Sequence, residues 1–377
     1  MKIAISADCF SAYTSGFPVR GMTLALIKNN PDVKFVLLYT RRGHPASLDY
    51  FFNEINTLSN VEVRYFHDSR YCIAIKRLFA RRYVRLDEDC DCFLNPGHIE
   101  YIRGFKGIQI CSLADLSTLK GLSTYKYAFF YKYQNRLFYK FILPKLTRVV
   151  TISNYTKNDL IEFYPHIANK ILCIYNGIDS FWFDSIIYDV DYKKLGIDSP
   201  YFIWWGLISR RKNIYNLIAA YKNVKVRNPS FPKLLLIGNI EGYMADIIKE
   251  FDDNVVNIPF QDNYTLKSLV RNSCGLIFPS LYEGFGLPVI EAFSQGIGVA
   301  CSDITSLPEI ANGKAILFNP NDLADMERAI EALYLTKVNS CDLKDYAAKF
   351  SYERAADEYM NLIISVRRKI LRQCFNY

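Results

Sequence analysis

Two carboxylates and two glycines stand close together in Glu283-Gly-Phe-Gly-Leu-Pro-Val-Ile-Glu291. A carboxylate accepts hydrogen bonds from hydroxyl groups, so Glu283 and Glu291 could hold sugar or ribose hydroxyls. Gly284 and Gly286 let a loop come close to a ligand, and Pro288 suits the first turn of a helix, where a missing N–H costs nothing. The free N–H groups of a first helical turn carry partial positive charge, and a phosphate settles there. The chemistry on offer is the binding of a phosphorylated, hydroxyl-rich ligand. The alternative is an ordinary αβ crossover with a solvated Glu pair, because a glycine loop by itself discriminates poorly.

The neighbouring residues supply the elements such a site needs. Leu276-Ile277-Phe278 has the length and content of a buried parallel strand. Val289, Ile290, Ala292 and Phe293 give the following helix its apolar face, and Gly296 closes it. Upstream, Tyr201 to Gly206 reads as a strand, Leu207-Ile-Ser-Arg-Arg-Lys-Asn213 as a basic loop, and Ile214 to Asn223 as a helix. Arg211 and Lys212 are cations for the same anion, or basic residues at a solvated helix start.

The stretch from Glu283 to Glu291 resembles the E-x7-E signature of the family 4 retaining glycosyltransferases, which have the GT-B fold. Gly296-Ile-Gly-Val-Ala-Cys-Ser-Asp, Ser306-Leu-Pro-Glu309 and Ala315-Ile-Leu-Phe-Asn-Pro-Asn-Asp322 continue the likeness. They are similar to the family's "G-x-P-V-x-x-S, S-x-P-E, L-F-x-P-x-D" run, and the resemblance covers the C-terminal half nearly continuously. It implies an α/β protein of two Rossmann-like domains facing across a cleft, with a C-terminal helix returning to the first. It further implies that Glu283 holds the donor sugar's hydroxyls and Glu291 the nucleotide ribose. Arg211, Lys212 and the amides of Phe285, Gly286 and Leu287 would stabilise the departing diphosphate. Gly16 occupies the place of the glycine loop that the family brings near the donor phosphates; a plain turn glycine is the alternative. Asn176-Gly-Ile-Asp179 matches the "N-G-V-D" turn before the second domain.

Three positions depart from the family. Leu207 stands where some members have an Arg, and Gln261 replaces a glycine in the segment that faces the base. Asp115 matches the Asp of an "H-D-L" element, but Ala114 replaces the His that contacts the donor sugar in relatives. That loss suggests a donor without the corresponding hydroxyl, such as a 6-deoxy sugar.

With 377 residues the chain is long enough for two domains. The expected division is residues 1–180 for an acceptor-binding domain, 181–355 for the nucleotide-sugar domain, and 356–377 for the returning helix, with a linker over 180–200. The opening is βαβ: a strand at Lys2 to Ala7, a loop with Gly16-Phe-Pro-Val-Arg-Gly21, a helix from Met22 to Asn29, and a strand from Val33 to Tyr39. Arg20 could serve an anion or cap a surface. Further strands are read at Val61 to Tyr65, Cys92 to Leu94 and Gly107 to Leu113. His98, in Asn95-Pro-Gly-His, ends a strand on the side where open α/β sheets bind ligands. His98 and Asp115 are candidate acceptor or sugar contacts, a structural histidine being the alternative.

Two basic stretches could face a membrane or lipid-diphosphate acceptor, or simply water: Ile75 to Arg85, and Tyr125 to Lys145. In the second, Phe130, Tyr133, Leu137 and Phe141 fall at helical spacing, with Lys132, Arg136 and Lys140 on another face.

Half the residues are hydrophobic and 22 % are charged, as in globular proteins with sizeable cores. The net charge of +8 suits nucleotide diphosphates, acidic membranes or nucleic acid. The basic residues are dispersed and no nucleic-acid module is recognisable, which argues against the last. Ten cysteines lack paired metal spacing and read as free thiols of a reducing cytosol. Asp89-Cys-Asp91 spells a DxD but reads as a surface turn, so no metal or other cofactor is expected. No apolar run of membrane-spanning or signal-peptide length is present. The expectation is a cytoplasmic enzyme, peripheral at the inner membrane, that transfers mannose from GDP-mannose to a lipid-linked or oligosaccharide acceptor of a surface polysaccharide. The alternatives are a UDP-, dTDP- or 6-deoxy-sugar donor, or an inactive GT-B binding subunit.

Overall fold

A computed structural model describes residues 1–11, 16–39, 48–65, 86, 89–122, 128–186, 188–197 and 200–375. The chain divides into two compact units. The first comprises Met1–Asp179 with Ser351–Tyr377, and the second Ser180–Phe350.

In the first unit, β1 (Lys2–Ser6), β2 (Lys34–Tyr39), β3 (Val61–Tyr65), β4 (Cys92–Asn95), β5 (Ile108–Leu113), β6 (Arg148–Thr151) and β7 (Ile171–Cys173) form one sheet. Its order is β3-β2-β1-β4-β5-β6-β7 and every pairing is parallel. Parallel strands are covered on both faces, which is why Ile-Ala-Ile in β1 and Phe-Val-Leu-Leu-Tyr in β2 are continuously apolar and buried. The helices are α1 (Gly16–Lys28), α2 (Asp49–Ile55), α3 (Ser117–Lys120), α4 (Ala128–Ile142) and α5 (Asn154–Phe163). The expected glycine loop at Gly16 to Gly21 is instead the start of α1. Pro18 lies in the first turn, where its ring and missing N–H are tolerated, so it does not delay the helix. The basic stretch Ile75 to Arg85 lies outside the described residues.

The second unit is built the same way. Its strands β8 (Tyr201–Trp205), β9 (Lys233–Ile237), β10 (Val255–Ile258), β11 (Leu276–Phe278), β12 (Val299–Ser302) and β13 (Ile316–Phe318) pair in parallel in the order β10-β9-β8-β11-β12-β13. Its helices are α6 (Ile214–Arg227), α7 (Asn263–Arg271), α8 (Leu287–Ser294), α9 (Leu307–Ala311), α10 (Leu323–Leu335) and α11 (Ser340–Ala347).

Residues 180–200, expected as a linker, begin with a segment docked on this unit. Trp182 is buried, and Gln295 Nε2 donates to its carbonyl. Lys267 of α7, only 1 % exposed, donates to the carbonyls of Phe181 and Asp184 and to Asp184 Oδ1. An ammonium group has three donors, and burying it is tolerable only when they are satisfied.

The last helix, α12 (Tyr352–Phe375), belongs to the first unit. Ala355, Ala356, Tyr359, Met360, Ile363 and Val366 join Ile3, Ile5, Leu26 and Leu37 in one core. The approach to α1 is close: a Cβ on Gly21 would sit 2.0 Å from a ring carbon of Tyr352.

In each sheet the strand order reverses once, between β1 and β4 and between β8 and β11. At such switch points the loops leaving the strand C-termini diverge, and ligands bind in the opening.

Candidate active site

The loops after β8 and β11, neighbouring strands of the second sheet, carry the candidate residues. Arg210–Lys212 forms a single 3-10 turn, and Asn213, at a left-handed φ of 59°, redirects the chain into α6. Its side chain is anchored on the Pro320 carbonyl at 2.8 Å. The two loops are joined by the Leu281 N–H, which donates to the Arg211 carbonyl at 2.8 Å. Arg211 Nη1 then lies 3.0 Å from Glu283 Oε2, while Lys212 Nζ hydrogen-bonds Glu283 Oε1. Burial alone would raise the Glu283 pKa. Lys212 and Arg211 overcome it and hold the carboxyl at about 2. Two cations thus meet one carboxylate, and the cluster keeps a net positive charge.

Next to it the chain enters α8. Gly286 caps the helix at φ 104°, and a Cβ there would lie 2.6 Å from Leu307 Cδ2. The first internal bond runs from Val289 N to the Gly286 carbonyl, so the Gly286 and Leu287 N–H groups precede the helical ladder. Phe285, also predicted here, is buried and packs edge-on against Phe350 at 6.0 Å. Ser306 braces the turn by donating to the Glu283 carbonyl at 3.0 Å and the Phe285 carbonyl at 2.9 Å. Thr305, a β-branched residue at φ 61°, accepts the Glu283 N–H at 3.3 Å. Branched side chains rarely adopt that backbone, so Thr305 is strained where it supports Glu283.

Glu291 points back across the helix to β8, where Trp205 Nε1 donates to its Oε2 at 3.1 Å. Burial raises its carboxyl to about 7, against the lowering effect of the indole bond. The two glutamates of one motif are therefore driven in opposite directions. One is fixed as an anion, and the other is poised to change charge near neutrality.

The remaining candidates belong to the first unit. Gly16 is the first residue of α1, after β1. Arg20 Nη1 donates to the Phe10 carbonyl at 3.1 Å, a tie within the unit. His98 follows β4. The buried Asn95 accepts the Gly97 and His98 N–H groups on Oδ1, both at 3.1 Å, which turns its amide Nδ2 toward Glu100 Oε2 at 2.6 Å and His98 Nε2 at 3.3 Å. Asp115 accepts both the N–H and the hydroxyl of Ser117, at 2.8 and 2.6 Å, and so shapes the entry to α3. The Asp89-Cys-Asp91 turn is engaged electrostatically: Asp89 with Lys2 and Asp91 with Arg367, each at 3.0 Å.

The sequence did not single out Trp205, Thr305 or the bracing role of Ser306. Trp205 could have been found as the last strand residue before Gly206. The strain at Thr305 has no sequence signal of its own.

Residues 189–350 match the family described as Glycosyl transferases group 1. That match spans most of the second unit. Over 237 residues the chain is 25 % identical to the O-antigen chain mannosyltransferase B of Escherichia coli, covering 56 % of this chain and 59 % of that protein. It is 26 % identical over 238 residues to the O-antigen chain mannosyltransferase RfbU of Salmonella typhimurium, covering 61 % of this chain and 63 % of the relative. The matches thus span about three fifths of those proteins' length. A crystal structure of a glycosyltransferase from Rickettsia africae superimposes with a TM-score of 0.71 over 97 % of this chain and 98 % of that one, at 14 % identity. The fold of the second unit and its companion is GT-B.

Proposed function

We propose that this chain is a retaining family 4 hexosyltransferase that moves mannose from GDP-mannose to a growing surface polysaccharide on a lipid carrier. The observation that supports it best is the meeting of Arg211 and Lys212 with Glu283, beside the amide end of α8 at a sheet switch point. The likeness to O-antigen mannosyltransferases supports the choice of sugar and polymer.

In the proposed step the acceptor hydroxyl attacks the anomeric carbon from the face the diphosphate leaves. The anomeric C–O bond breaks with its electron pair going to the phosphate oxygen, and that oxygen takes the hydroxyl proton. Arg211, Lys212 and the Gly286 and Leu287 amides stabilise the growing anion; preorganised donors of this kind contribute about 3 kcal/mol each. Glu283 holds sugar hydroxyls and Glu291 the ribose. These cations and amides meet the leaving group's charge without a metal, and rates should be insensitive to EDTA. The enzyme works at the cytoplasmic face of the membrane; among the described residues no helix is long and apolar enough to cross it.

The test is turnover by the purified chain with GDP-mannose, UDP-, dTDP- and 6-deoxy sugars on a lipid-diphosphate oligosaccharide, with the anomeric configuration read by NMR. An α-mannosyl product from GDP-α-mannose is expected. An inverted product, or donor binding without transfer to any acceptor, overturns the reading.

A further inference from the structure

We infer that the outer face of α4 is a docking surface for an anionic lipid bilayer. The helix has two distinct sides. Ile142 is buried, and with Phe138 and Tyr139 it belongs to the cluster around Leu113, Leu146 and Leu160, so this side is committed to the unit's own core. Away from it, Tyr133, Leu137 and Phe141 recur every fourth residue and are 55, 49 and 59 % exposed. Scattered apolar residues on a surface are ordinary, but three in line on one helix make a continuous exposed stripe.

Lys132, Arg136 and Lys140 each precede one of these residues, about 100° round the axis, and form a second stripe alongside. The helix carries no acidic residue, and Lys145 follows in the next turn. An aligned pair of apolar and cationic stripes matches a surface that is oily a few ångströms below a negatively charged plane. The cores of protein–protein interfaces are depleted of lysine, whereas basic amphipathic helices lie in bilayer interfaces. Leu137 and Phe141 would enter the acyl boundary, and Tyr133 would keep its hydroxyl among the headgroups. The Lys140 stem would extend to the phosphates, while Arg136, its guanidinium 5.9 Å from the Phe163 ring centroid, and the half-buried Lys132 add charge beside it. The inference deepens the proposed function and rests on it for the acceptor being carried by lipid.

The test is flotation of the full chain with vesicles of phosphatidylcholine alone or with roughly one third phosphatidylglycerol. Wild type should float with the anionic vesicles about tenfold more than with neutral ones, and lose this in high salt. Leu137→Asp with Phe141→Asp, and separately Lys132→Glu with Lys140→Glu, should each cut flotation about tenfold. Leu137, Phe141 and Lys140 are exposed and Lys132 is half-buried, so Lys140→Glu alone accompanies the pair, and its melting and that of the Leu137/Phe141 variant should stay at the wild-type value. Variants that float like wild type, wild type that ignores anionic vesicles, or equal flotation on both vesicle types would overturn the proposal. Transfer to a water-soluble acceptor, measured in parallel, should be unchanged by either pair. Vesicle binding without any such transfer would count against the proposed function and leave the docking surface standing.

Discussion

Trp205, at the end of β8, donates its indole N–H to Glu291 across 3.1 Å. That bond joins a residue of no assigned role to the second carboxylate of the motif, whose pKa stands near 7. A carboxyl raised on folding binds more protons in the native state. Its stabilising effect is complete below the unfolded value near 4.5 and is lost as pH rises through about 7. Glu291→Gln should therefore gain stability relative to wild type between those values, on the order of 3 kcal/mol by pH 8. Trp205→Phe should steepen the wild-type slope by removing the bond that favours the anion. Urea unfolding across the pH range checks both, and parallel curves for wild type and Glu291→Gln would refute the assignment.

Glu283 should behave in the opposite sense. Its carboxyl is held at about 2, so its contribution is present above 4.5 and disappears as pH falls toward 2. Lys212→Met removes the nearer cation and leaves a buried carboxylate shared with Arg211 alone. We expect a loss of about 3 kcal/mol in stability and a fall of roughly 10² to 10³ in transfer rate. Wild-type transfer by the folded variant would show that Lys212 takes no part in the chemistry.

Gly286→Ala places a methyl group 2.6 Å from Leu307 in a backbone conformation that favours glycine. The cost should be about 1–3 kcal/mol, seen as a drop of several degrees in Tm. Displacing the helix entry should also raise the KM for the nucleotide sugar. A variant with unaltered Tm and KM would mean that the turn yields freely.

Thr305→Gly tests whether strain supports the site. Relief of the left-handed threonine should stabilise the fold by about 1 kcal/mol. The Glu283 N–H loses its acceptor at the same time, so donor affinity should fall. Stability and affinity moving in opposite directions in a calorimetric comparison is the expected signature; a joint loss would place the residue among ordinary packing positions.

The sequence displayed the repeating units of this fold because parallel strands buried on both faces are continuous apolar runs. Leu276-Ile-Phe and Tyr201-Phe-Ile-Trp-Trp are read directly, within a residue of β11 and β8. Short strands such as β7 and β13 have too few residues to show a period. The start of α1 was misplaced because glycine and proline, which punctuate loops elsewhere, are both tolerated in a first helical turn. Lys212, Arg211 and Glu283 were legible as charges beside glycines, but their mutual bonds were not. A contact across seventy residues of chain depends on which strands become neighbours, and strand order is not written in local spacing. The docking of residues 180–184 was hidden for the same reason: its key is Lys267, a lysine that looks like any surface lysine until its surroundings are known.

The division of the chain also bears on its birth at the ribosome. The core around β1 and β2 is closed by residues up to Val366, which are translated after the whole of the second unit. The Ser180–Phe350 unit is contiguous and emerges whole before them. The strands made first must therefore wait, incompletely covered, while the second unit is made, and a chain truncated just before Tyr352 should leave the N-terminal sheet to chaperones or proteases.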